Sequence, residues 1–244
     1  MNVTATVVGR DARQGRVISL WPVVGAVLPQ AMAIALSPVP VICIVLVLMS
    51  DRPVRAGLSF AVGWLGALTI AIGLVVWLTD EVADDNDKVA RDGVDVFQLA
   101  VGVLFAVLAV RYWRKRPAPG TPAPRPAIVD RVPLLSPPAL VVTGAAAALA
   151  NLKNLPLILS AGSQLGTAGL SSGSLIGAVA ITVAVASFSV LGPLAAVAVT
   201  GPERSARALK SLEAWLLANL NTITIVVLTI LATVLIGQGL DLFR

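Results

Sequence analysis

Asn151-Leu152-Lys153-Asn154-Leu155-Pro156 sets a lysine between two asparagines, with a proline behind them, inside an otherwise apolar run from Pro138 to Ser160. No other Lys or Arg of the chain lies so far inside an apolar segment. A cation within a membrane span costs roughly 2.5–3.5 kcal/mol on insertion scales, so its retention points to a function. The surrounding sequence decides what kind of protein carries it.

With 57% hydrophobic and 13% charged residues and a mean hydropathy of +0.90, the 244-residue chain has the composition of an integral membrane protein. A soluble domain carries about 25% charge. The net charge of +5 falls in short loops between apolar runs, as membrane orientation requires, which argues against a nucleic-acid partner. A single cysteine, Cys43, and the absence of histidine remove disulfides, thiol relays, zinc sites and histidine proton shuttles. No nucleotide-binding loop or catalytic triad is present. The expectation is therefore a protein that is not an enzyme, with no catalytic residues, metal site or cofactor.

The apolar runs predict an all-α integral membrane protein with six transmembrane helices. A polar tail, residues 1–16, precedes a first span of about Trp21–Met49, too long for a cleaved signal core. Pro29, Pro38 and Pro40 interrupt that span, and the helix is expected to break around Ser37-Pro38-Val39-Pro40, with Gln30 and Ser37 on one face. Ser50 or Asp51 is expected to cap the next helix. Span two covers about Gly57–Leu78. Its Gly63, Ala67 and Ala71 form a small-residue stripe suited to close packing inside one chain or between two copies in a homo-oligomer. Trp77 is the better placed of its two tryptophans as an interface anchor.

An acidic loop with Asp80, Glu81, Asp84, Asp85, Asp87, Asp92 and Asp95 follows; its order breaks the calcium-loop pattern and reads as a solvated connection with acids at the start of span three. Span three is about Val94–Trp113. In span four, Ala146, Ala150 and Asn154 are spaced for one packing face, and a flexible loop is expected over 161–174. Span five, about Leu175–Val199, carries Thr182 and Ser189 on one face and a kink at Gly192-Pro193. An interfacial helix from Pro202 leads into span six, about Trp215–Leu240. Three regions result: a tail with a first three-helix repeat over 1–116, a proline-rich cytoplasmic linker over 117–137, and a second three-helix repeat over 138–244.

Basic loops after spans one, three and five place both termini outside the plasma membrane. Three spans per half require the halves to be inverted. The breaks at Ser37–Pro40 and Asn151–Pro156 then correspond, and paired interrupted helices in inverted halves point to a transporter's central site.

At these two motifs the chain resembles the lysine-exporter (LysE) superfamily, whose first helix carries a Pro-Gly-Pro-Asn-like motif and whose fourth carries Asn-Pro-Lys. Here Pro38-Val39-Pro40 and Asn151-Leu152-Lys153 stand in those places. Val39 replaces the glycine, no asparagine follows Pro40, and Leu152 replaces the proline. Within the superfamily, Ala35–Pro40 and Asn151–Leu155 look most like the actinobacterial GAP, or Sap, family of glycolipid-addressing proteins. The resemblance implies a LysE-like fold of two inverted repeats and export, or assistance to export, of a glycolipid-type surface lipid.

Lys153 has two readings from sequence. Its stem can lift the ammonium to the outer interface, or the ammonium can sit at the two breaks and meet an anionic or amphipathic substrate. In the second, Asn151, Asn154, Ser37 and Gln30 supply hydrogen bonds, and Pro38, Pro40 and Pro156 act as hinges. Apart from Asp95 at the very start of span three, no Asp or Glu lies in a predicted span to pair with the lysine. Partners would be membrane lipids, the exported glycolipid or a small solute such as an amino acid, or a separate lipid-export machine that the chain assists.

Overall fold

The computed structural model describes residues 8–10, 17–83, 87–116, 131–151 and 153–240. A two-stranded antiparallel ribbon comes first, β1 (Val8–Arg10) against β2 (Val17–Ser19), with Val8 opposite Ser19. Nine helices follow among the described residues: α1 (Leu20–Ala35), α2 (Pro38–Leu48), α3 (Pro53–Ala83), α4 (Asp87–Arg114), α5 (Pro137–Leu149), α6 (Asn154–Gly166), α7 (Ser172–Ala186), α8 (Phe188–Thr200) and α9 (Pro202–Gly239). Residues 84–86 of the acidic loop and 117–130 of the linker lie outside the described residues; Val132–Leu134 forms one 3-10 turn.

Two helices are single candidate spans, Pro53–Thr79 of α3 and Pro202–Gly237 of α9. Three further candidates are bent pairs: α1–α2 at 55°, α5–α6 at 73° and α7–α8 at 68°. The described residues thus hold between two and five candidate spans. The predicted third span, Val94–Trp113, falls within α4.

The faces of α3 show the solvent for which the chain is built. Phe60, Trp64, Leu68 and Ile72, four apart, are fully buried, whereas Val62, Ile70, Leu74 and Trp77 on the far side are exposed. A helix apolar all round fits a membrane-embedded protein, because hydrocarbon accepts the face that water would reject. Trp77 is on that outer face; Trp64 is in the core and donates Nε1 to Ser187 Oγ at 3.1 Å.

Close helix approach follows the glycines. A Cβ on Gly63 would overlap the Val141 carbonyl of α5, and one on Gly144 would overlap the Phe60 carbonyl of α3. Gly162 and Gly166 of α6 continue the seam, where a Cβ would lie 2.6 Å from Val75 and 2.9 Å from the Val76 carbonyl. Both arms of the bent α5–α6 pair therefore lie against the one continuous helix α3.

Several expectations are corrected. The α1 helix runs through Pro29 unbroken, because Pro29 removes only one internal donor, whereas the break at Leu36-Ser37 falls where Ser37–Pro40 led one to expect it. Neither Ser50 nor Asp51 caps α3. Ser50 Oγ instead donates to Val47 O at 2.7 Å and closes the end of α2. Residues 161–166 continue α6 and 172–174 open α7, which leaves a loop of only 167–171 in place of 161–174. The fifth span bends at Ser187, and Pro193 lies inside α8. Ala146 and Ala150 are exposed, and Gly144, Ala147 and Ala148 make the packing face. The predicted interfacial helix and span six are one helix from Pro202, so Glu213, 7% exposed, lies inside that candidate span.

Candidate functional site

The break between α1 and α2 leaves the Ala33 carbonyl without a helical partner. The N–H of Ser37, which would continue the ladder to Ala33 O, turns to Ile34 O at 3.1 Å, while Leu36 N–H still reaches Met32 O at 2.9 Å. Pro38 has no N–H to give. At the start of α2, Pro38 and Pro40 occupy the first and third positions. The first turn of a helix has unpaired donors in any case, so two prolines there reduce the polar groups that the break exposes.

The second break is built alike. Pro156 is again the third residue of its helix, α6. Asn154 N–H bonds to Asn151 O at 2.8 Å, and Asn154 Nδ2 donates back across the bend to Ala148 O at 3.0 Å. That donation fixes the orientation of the amide, because the opposite one would set two carbonyl oxygens together. Asn154 is fully buried, and its Oδ1 has no partner.

The two breaks meet. Asn151 Nδ2 donates to Ser37 Oγ at 2.7 Å, and Lys153 Nζ donates to Ala33 O at 2.8 Å, the carbonyl that the first break freed. The ammonium thus turns into the bundle, onto the negative end of the α1 dipole, where a cation is favoured. Among the described residues no acidic side chain pairs with Lys153. Its ammonium carries three protons, and one goes to Ala33 O.

Gln30, one helical turn before Ala33, belongs to a second polar group that the sequence reading did not assemble. Gln30 of α1 and Gln98 of α4 each donate Nε2 to Ser160 Oγ of α6 at 3.3 Å, and Gln164 does so at 3.1 Å. Gln30, Gln98 and Ser160 are 1%, 4% and 1% exposed. The signal available in sequence is an amide isolated in an apolar run, as Gln98 is; Gln164 gives no such signal because it lies in a Gly- and Ser-rich stretch.

Of the eight residues that the sequence singled out, Ser37, Asn151, Lys153 and Asn154 gather at the crossing, Pro38, Pro40 and Pro156 define the two helix starts, and Gln30 lies one turn away. A double-mutant cycle on Ser37→Ala and Asn151→Ala is expected to give a coupling of about 0.6 kcal/mol, and no more than about 1.7, as for inter-helix hydrogen bonds in membranes. Thermal unfolding of the purified variants in micelles measures it; additivity would show that the bond contributes nothing.

A family model described as Sap, sulfolipid-1-addressing protein, matches residues 27–241. No curated protein and no solved structure matches the chain.

Proposed function

Because the chain belongs to the Sap, sulfolipid-1-addressing protein, family, we propose that it moves, or helps to move, a glycolipid-type surface lipid across the plasma membrane. In this reading the five candidate spans and α4 make six, arranged as two inverted three-helix repeats of LysE-like type with both termini outside. The matching proline at the third position of α2 and of α6 supports the correspondence of the two breaks. The lysine meets the anionic part of the lipid head group. Asn151, Asn154, Ser37 and Gln30 supply hydrogen bonds, and Pro38, Pro40 and Pro156 are the hinges.

One observation carries this proposal: residues of one helix break bond directly to the other, through Asn151 to Ser37 and Lys153 to Ala33. Interrupted helices that meet within a membrane bundle are where transporters bind substrate, because freed backbone groups and half-helix ends offer polar partners in an apolar medium. The ammonium, with no acidic partner among the described residues, is free to take a negative charge from a ligand.

Mass spectrometry of surface lipids and of secreted metabolites from a deletion strain and its complemented parent tests the proposal. The expected result is loss of one class of surface lipid, with its precursor retained inside. Unchanged surface lipids with a missing secreted amino acid would replace the lipid reading with small-solute export. Vesicles containing the purified chain separate direct transport, seen as translocation of a fluorescent anionic glycolipid, from assistance to a separate exporter, which leaves such vesicles inactive.

A further inference from the structure

Ser160 and the three glutamines around it exceed what holding helices together requires. Three primary amides from three helices point at one hydroxyl, at 3.3, 3.3 and 3.1 Å. A hydroxyl accepts two hydrogen bonds and donates one, so the three amides cannot all donate to it. At least one must turn its oxygen to the Ser160 proton, and several amide orientations then satisfy the group about equally. Elsewhere the inter-helix seams close with glycines, as at Gly63 and Gly144, or with one bond, as between Trp64 and Ser187. Buried polar side chains in an apolar bundle are costly, and a seam needing only adhesion is made more cheaply from small residues.

We propose that Gln30, Gln98, Gln164 and Ser160 form an uncharged station that binds the hydroxyl groups of a polyol or sugar head group. This deepens the proposed function and rests on it, since the ligand is the same amphiphile. A carboxamide offers a donor and an acceptor in one plane, which matches adjacent hydroxyls, and a group without charge leaves selection of the anion to Lys153. The spacing suits one head group touching both places. Gln30 precedes Ala33 by three residues, about 4.5 Å of helix rise, and Ser160 follows Asn154 by six, about 9 Å. Entering hydroxyls replace amide–hydroxyl bonds one for one, so opening this seam to a sugar costs little net hydrogen bonding, whereas an alkyl chain would replace none of those bonds.

The test uses the full chain in nanodiscs and three fluorescent short-chain probes: a monoglucosyl diacylglycerol, its sulfated form and a phosphatidic acid. Ser160→Ala and Gln98→Met, on different helices, are each expected to weaken both glucosyl probes about tenfold and to leave phosphatidic acid unchanged. Unchanged glucosyl binding in both variants overturns the inference. Equal weakening of all three probes also overturns it, because the cluster is then only inter-helix adhesion. Lys153→Met separates the two readings: it should weaken the two anionic probes and spare the neutral one. If it weakens none while Ser160→Ala acts as stated, the sugar station stands and the role of the lysine falls.

Discussion

Lys153→Met is expected to lower the exported surface lipid at least tenfold, close to the level of a deletion strain, while Lys153→Arg keeps a substantial part of it. Two effects combine. Methionine removes the positive charge that the proposed function assigns to the anionic head group. It also leaves the freed Ala33 carbonyl buried without its 2.8 Å donor, which costs about 1–3 kcal/mol of stability. Arginine keeps both the charge and the donor, although its planar fork is a poorer fit to one carbonyl than a compact ammonium. Surface-lipid extracts are therefore compared at equal membrane levels of each variant, with thermal unfolding in micelles measured alongside. Full export by Lys153→Met at normal protein levels would reduce the lysine to a cap for the end of α1.

The largest loss of stability is expected at the α3–α5 crossing. Gly63→Ala adds a Cβ where the Val141 carbonyl already lies, and Gly144→Ala does the same against Phe60 O. Backbone atoms cannot turn aside as a flexible side chain can, so the two helices must separate along the seam. A cost of about 3 kcal/mol is expected for each, at the upper end of overpacking. Gly66→Ala, three residues along the same helix, meets nothing within 4 Å and should be neutral or slightly stabilising. Protein accumulation in the membrane and the midpoint of thermal unfolding should separate Gly63 and Gly144 sharply from Gly66. Equal behaviour of all three would mean that the crossing is looser than the backbone contact implies.

The extent to which the sequence disclosed the site follows from the kind of residue that marks each part. Prolines at 38, 40 and 156 mark helix starts because the missing N–H is a property of the residue itself, independent of any neighbour. A lysine and two asparagines in an apolar run stand out for the same reason. The Ser160 group was harder to see. Its members come from α1, α4 and α6, each looks like one tolerated polar residue in its own helix, and only packing unites them. The break at Ser187 was missed because a serine carries no local signal of a bend, and Pro193, which does, is accommodated within α8. Glu213 precedes the apolar run that marks the sixth span, because the stretch from Pro202 is charged, yet the helix runs on unbroken through both.

By itself the sequence determined that this is an apolar, helical membrane protein with two interrupted helices and a lysine at one of them. Composition and missing backbone donors are local, and they survive without knowledge of any contact. Only the tertiary structure decided where the lysine points. Its partner is a carbonyl, a group that every residue has. Ala33 O became available because Ser37 N–H turned to Ile34 O at a break more than a hundred residues away in the chain. Which of many identical backbone groups is left unpaired depends on how two helices end and meet, and no side-chain pattern encodes that directly.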